Sequence, residues 1–156
     1  MLDLVRQLYK EATADLEELE DLWEKVKDYQ KDAGVLFAYK AAAKALQAKD
    51  SWIPHKKWNY IKEAMAMFRE AIETEPENIE MRFLRFTVQH NTPEFLDLSE
   101  ELDEDLECIK KEIHRFAEFK LKDAHLSFML EFLEESKRIS EEVLDQIKDR
   151  LTQNDP

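Results

Sequence analysis

Between Leu4 and Val26, apolar residues return every three or four positions (Leu4, Leu8, Ala12, Leu16, Leu19, Trp23, Val26), with acids and lysines between them. This spacing predicts one long leading helix with a single buried face. Asp32 is placed to cap a second helix, whose Val35, Leu36, Tyr39, Ala42, Ala43 and Leu46 face inward and which ends near Lys49. Pro54, at the end of the loop Asp50-Ser51-Trp52-Ile53-Pro54, suits a helix start, where its missing N–H costs nothing. The organising stretch follows, from Trp58 to Phe86. In its first half Trp58, Ile61, Ala64, Phe68, Ala71 and Ile72 form one stripe, with two alanines flanking the ring of Phe68 so that a neighbour can approach closely. Pro76 stops that helix, because a residue before proline avoids the helical region. Beyond it Ile79, Met81, Phe83, Leu84, Phe86 and Val88 are apolar on nearly all sides, which predicts a helix covered on two faces.

Asn91-Thr92-Pro93 repeats the stop and restart, with Thr92 capping a short turn through Phe95 and Leu96. Ser99 is expected to open a helix with Leu102, Leu106, Ile109, Ile113, Phe116 and Phe119 as its apolar side. Acids crowd its first turns and Lys110, Lys111, His114, Arg115 and Lys120 come later, the order a helix dipole favours. Asp123 caps the next segment. The last helix begins at Ser140, with Ile139 and Leu144 at the spacing of a hydrophobic staple and Leu144, Ile147 and Leu151 inward. The tail from Thr152 to Pro156 is expected to fray. The pattern therefore predicts about seven helices, no strand, and a single domain over residues 1–156.

The order Ala64, Phe68, Ala71, Pro76 resembles the small-aromatic-small-proline pattern that closes a tetratricopeptide (TPR) repeat, a helix-turn-helix unit of about 34 residues. Pro76-Glu77-Asn78-Ile79-Glu80 looks like the lead-in to a following repeat. The resemblance covers about a quarter of the chain. Counting back from Ala64, the first-helix signature residues would fall at Ala48, Ser51-Trp52 and His55, none of which fits; a longer loop around Trp52 and Pro54 restores that helix in a shifted register with Tyr39 and Ala42 to Ala45 as its packing face. The wider string from AYKAAAKALQAK to EMRFLRFTVQHNTPEFL is also similar to an uncharacterised group of bacterial TPR-like proteins. These resemblances imply an all-α fold of antiparallel helix hairpins: a short, degenerate TPR-like right-handed superhelix over about residues 33–92, closed by C-terminal helices over about 93–152. They imply a protein or peptide partner and no known activity.

Composition agrees with helices: one glycine and four prolines among 156 residues leave little material for tight hairpin turns. A formal charge of −13 speaks against nucleic acid and against an anionic membrane surface, leaving basic or neutral partners open. No stretch approaches the 18 or so apolar residues of a membrane span. The opening MLDLVRQLYKEA lacks the basic and apolar regions of a secretory signal. As it stands the chain reads as cytoplasmic, with a periplasmic or secreted location open if a leader has been removed. Cys108 is the only cysteine, so an intrachain disulfide is impossible.

Catalytic signatures are sparse. His55, His90, His114 and His125 belong to no Glu-x-x-His or His-Glu-x-x-His pattern, although His114 and Glu118 stand four apart. A chain with one glycine cannot build a Walker loop or dinucleotide turn, and there is no Gly-x-Ser-x-Gly elbow. The reading is of a protein that is not an enzyme and implies no cofactor or metal. Two features remain as binding candidates. Arg82, Arg85 and Gln89 share a face of a helix otherwise suited to burial, so their charges must meet carboxylates of a neighbouring helix or a ligand; with Tyr39 and Lys40 they would line a concave groove. The second is the loop where Trp52, Trp58 and Tyr60 offer rigid aromatic surface, against which stands Trp58 as core and Trp52 as a plug for the hairpin's open end. The function expected is protein–protein interaction or scaffolding, the chain being a monomer or homodimer. The alternatives are a small-ligand carrier and a self-associating module that uses Leu4 to Val26 as its seam.

Overall fold

The structure, a computed structural model, describes residues 1–113, 115 and 123–153. Eight α-helices and no strand occur among them: α1 (Leu2–Ala14), α2 (Leu19–Val26), α3 (Val35–Asp50), α4 (Pro54–Thr74), α5 (Ile79–Asn91), α6 (Leu102–Glu112), α7 (Asp123–Ser136) and α8 (Glu141–Gln153).

The single leading helix is corrected to two. Asp15 adopts an extended conformation and its carboxylate accepts the Glu17 N–H, starting a short 3₁₀ turn, Leu16–Glu18, that feeds α2. A short polar side chain that caps its own backbone competes with helix continuation, and here it wins. The buried face of α1 is also turned by one residue, to Val5, Tyr9 and Ala12, leaving Leu4 exposed. Tyr9 explains the turn, since its ring packs edge-on against Tyr39 and Phe128 and its hydroxyl shares a hydrogen bond with Thr87. Of the seam offered for self-association, Leu8, Ala12, Leu16, Leu19, Trp23 and Val26 pack into the chain's own core, and Leu4 stays outside it.

Asp32 does not cap α3; it lies in a 3₁₀ turn, and the position before the helix belongs to Gly34, the sole glycine, at φ +64°. The chain must reverse there, and only glycine takes that backbone without strain. Helices α3 and α4 make the most extensive helix pair and run antiparallel, Lys44 of one reaching Glu63 of the other at positions symmetric about the loop. Ala64, Phe68 and Ala71 are fully buried along that contact. Pro54 stands at the start of α4, and Asn78 caps α5 by accepting the Met81 N–H.

α5 lies at the centre. Every residue from Ile79 to Gln89 is buried, and a rotation of about 100° per residue sorts them into four stripes. Met81, Leu84 and Val88 join the core formed with α1 to α4; Ile79, Phe83 and Phe86 join a second core with α6, α7 and α8. Between these apolar stripes lie two polar ones, Glu80 with Thr87, and Arg82 with Arg85 and Gln89. A helix packed from both sides leaves such residues no water, so each must find its partner inside.

α6 begins at Leu102 rather than at Ser99, whose hydroxyl instead donates to the carbonyl of Gln89. Thr92 closes α5, its hydroxyl donating to the Val88 carbonyl, and Pro93 precedes the 3₁₀ turn Glu94–Leu96. The Ser140 cap of α8 is present, accepting the Val143 N–H, with Ile139 and Leu144 both buried. His114, Phe116, Glu118, Phe119, Lys120 and the final residues 154–156 lie outside the described residues, as do the side chains of Asp123 and Thr152.

Candidate functional site

The arginine stripe of α5 is an internal network. Asp105 of α6 is fully buried and receives four hydrogen bonds: Arg85 Nε to Oδ2 and Arg85 Nη2 to Oδ1, both at 2.7 Å, Arg82 Nη1 to Oδ1 at 3.1 Å, and Gln89 Nε2 to Oδ2 at 2.8 Å. Arg82 also donates to the Pro76 carbonyl and to Glu104. Burial pushes the Asp105 carboxyl upward, against the pull of Arg85 and then Arg82. Two guanidiniums on one carboxylate hold α5 to α6, which run antiparallel.

The second polar stripe is equally occupied. Glu80 accepts both arms of Arg6 from α1, Nε to Oε1 at 2.7 Å and Nη2 to Oε2 at 2.8 Å, and the Tyr39 hydroxyl of α3 donates to Oε1 at 2.6 Å. His125 of α7 brings Nε2 within 3.4 Å of the same oxygen and 3.2 Å of the Tyr39 hydroxyl. Burial alone would raise the Glu80 carboxyl, but hydrogen bonds from Arg6, His125 and Tyr39, with the Arg6 charge, take it down to about 2. The same burial beside Glu80 raises the Tyr39 phenol well above its ordinary value. Three helices thus converge on one carboxylate of the fourth.

Tyr39, Arg82, Arg85 and Gln89 are therefore buried and engaged inside the molecule, and the groove they were expected to line is not formed by them. Lys40 donates to the Tyr29 carbonyl at 2.9 Å and lies over the Phe37 ring. The two tryptophans are the members of the set that face solvent. Trp52 is 94% exposed and plugs nothing; Trp58, expected in the core stripe, is 37% exposed with the Lys62 ammonium 4.5 Å above its ring. Residues 53–59 are all exposed, so the first turns of α4 stand clear of the other helices, and the stripe becomes buried only from Ala64.

A third exposed aromatic lies in the short turn between α5 and α6. Phe95 is 84% exposed, beside an open recess of about 340 Å³ lined by Gln89, Thr92, Glu94, Asp97, Ser99, Glu100, Leu102, Asp103 and Arg138. Gln89 Oε1 is buried and has no hydrogen-bond donor among the described residues, while its amide nitrogen donates to Asp105 and to the Arg85 carbonyl. Arg138 donates from Nε to His90 Nδ1 at 2.8 Å. Four carboxylates line this recess, Glu94, Asp97, Glu100 and Asp103, and make it a surface that accepts hydrogen bonds and positive charge. The sequence carried one signal for it, a phenylalanine two residues after Pro93 and ahead of a run of acids.

Among the described residues no three His, Cys, Asp or Glu side chains converge as metal ligands, and no helix is long and apolar enough to cross a membrane. Comparison with protein-family models, characterised proteins and solved structures finds no match to this chain.

Proposed function

We propose that this protein is a non-catalytic interaction module, a short TPR-like hairpin stack that holds a protein or peptide partner. The antiparallel α3–α4 hairpin with α5 packed on both helices supports the stacked-hairpin reading, and the buried Ala64, Phe68 and Ala71 occupy the positions such a hairpin uses for close contact. Non-catalytic use is supported by the fate of the buried charges: Glu80, Arg82, Arg85 and Asp105 are each consumed in holding helices together.

The observation that carries the reading is the recess at the α5–α6 junction, lined by Glu94, Asp97, Glu100 and Asp103, with the exposed Phe95 next to Glu94 in the same turn. Its partner is a lysine- or arginine-bearing peptide segment with an apolar residue to pack on the Phe95 ring. Aromatic anchors ringed by charge are the usual energetic centre of such contacts.

The test is fluorescence anisotropy of labelled peptides, with a lysine- and arginine-containing set beside glutamate-containing and neutral sets. The basic peptides bind and the others do not, and Phe95→Ala weakens binding at least about tenfold while circular dichroism and melting stay unchanged. Equal binding of all sets, or of none, overturns the reading.

A further inference from the structure

The formal charge of −13 conceals a reversal of sign along the chain. Residues 35–62 hold six lysines (Lys40, Lys44, Lys49, Lys56, Lys57, Lys62) and one acid, Asp50. Lys40 and Lys44 are spent on the body, on the Tyr29 carbonyl and on Glu63. Lys49, Lys56 and Lys57 have no acidic partner among the described residues, and they flank the α3–α4 loop that carries the exposed Trp52 and Ile53.

Helix stability does not explain this placement. A helix prefers acids in its first turn and bases in its last, the order that α6 follows. α4 runs the other way: Lys56 and Lys57 lie in its first turn, no side chain caps its N-terminus, and Glu70 and Glu73 lie near its end. The positive pole of the helix and two ammonium groups therefore point the same way, outward, at the place where the helix has left the core. Functional sites are where proteins commonly break such local rules.

We infer that the α3–α4 tip docks peripherally on an anionic phospholipid surface. Three features favour lipid over an acidic protein. Residues 53–59 of the tip are all exposed and none of them lines the recess at Pro76 or the one at Thr92, whereas a peptide anchor needs a pocket to enter. Its cations are all lysine, and protein interfaces favour arginine and are depleted of lysine. Trp52 beside Ile53 and lysines is the combination suited to a water–lipid boundary, the indole seated among headgroups and the ammonium groups on phosphate. The acidic remainder of the chain is repelled by the same surface, so the tip alone touches it. This inference goes beyond the peptide-binding reading and uses a different surface.

The experiment is co-sedimentation of the full chain with phosphatidylcholine vesicles, with and without phosphatidylglycerol, at low and high salt. A single-tryptophan variant (Trp23→Phe, Trp58→Phe) reports the Trp52 environment. The chain pellets with the anionic vesicles only, releases at high salt, and shows a blue-shifted Trp52 emission. Removing one lysine charge weakens binding about fivefold, so K56Q/K57Q loses about 25-fold, and Trp52→Ala loses binding with its fold intact because the ring touches little of the body. No vesicle binding at low salt, equal binding to neutral vesicles, or binding indifferent to Trp52→Ala and K56Q/K57Q each overturns the inference. So does a glutamate-rich peptide that binds the tip when vesicles do not, which would assign it to an acidic protein segment. Phe95→Ala leaves vesicle binding unchanged, so failure here and failure of the peptide reading are separable.

Discussion

Arg85 meets Asp105 side-on, two parallel N–H···O bonds of 2.7 Å between α5 and α6 with both side chains removed from water. Each of these oxygens accepts one bond more, Oδ1 from Arg82 and Oδ2 from Gln89, so three side chains of α5 donate to one carboxylate. Removing one member leaves the opposite charge stranded in the core.

Asp105→Ala should therefore cost roughly 3–5 kcal/mol, measured as the loss in urea-unfolding free energy. A triple change that replaces Asp105, Arg82 and Arg85 with apolar residues of similar volume should recover most of that loss. Recovery no better than the single variant would show that the network contributes beyond its mutual neutralisation.

Glu80 sets an acid limit on stability. Its folded carboxyl stands at about 2 against 4.5 in a free side chain, so on acidification the unfolded chain takes up a proton first. The contribution of ionised Glu80 is complete above about 4.5 and drains as pH falls toward 2, to a total of about 3 kcal/mol. Glu80→Gln should be less stable than wild type at neutral pH, and the two unfolding free energies should converge below pH 4.5. Curves that stay parallel down to pH 2 would contradict the assignment.

Gly34 holds a conformation at φ +64° that side chains rarely adopt, yet a Cβ there would meet only ordinary contacts at 3.8 Å from Glu75 and Met81. Gly34→Ala should accordingly cost about 1–3 kcal/mol through the backbone alone. Thermal melting should show this loss with unchanged helical content.

Phe68 and Trp52 are both large aromatics and should behave oppositely. Phe68→Ala removes a fully buried ring between two alanines and should cost about 3–5 kcal/mol. Trp52→Ala should change stability by no more than about 0.5 kcal/mol, because the ring is 94% exposed. Paired denaturant melts of the two variants decide this.

Most helix boundaries could be read from residues near them, because the forces that set them are local. Pro54 begins α4, Pro76 precludes its continuation, Asn78 and Ser140 cap, and the 3.6-residue period of Ala64, Phe68 and Ala71 marks a buried face wherever the chain goes. Where two local signals competed, the periodic apolar stripe concealed the break at Asp15, and only the packing of Tyr9 on Tyr39 and Phe128 selected which face of α1 turned inward. The burial of α5 on two faces was legible; the use of its polar residues was not. Asp105 is one of 36 acids, and nothing in its neighbourhood along the chain distinguishes it as the one that Arg82, Arg85 and Gln89 share. The same holds for Glu80, whose partners come from α1, α3 and α7. Trp58 shows the converse, a residue in register with the core stripe that emerges into solvent because α4 begins before its neighbours reach it. Composition and periodicity determine that this chain is helical and which residues seek burial, since those preferences act within a few turns. Which charges neutralise each other, and which aromatics are left exposed, depend on helices far apart in sequence meeting in space, and that was decided by the tertiary structure alone.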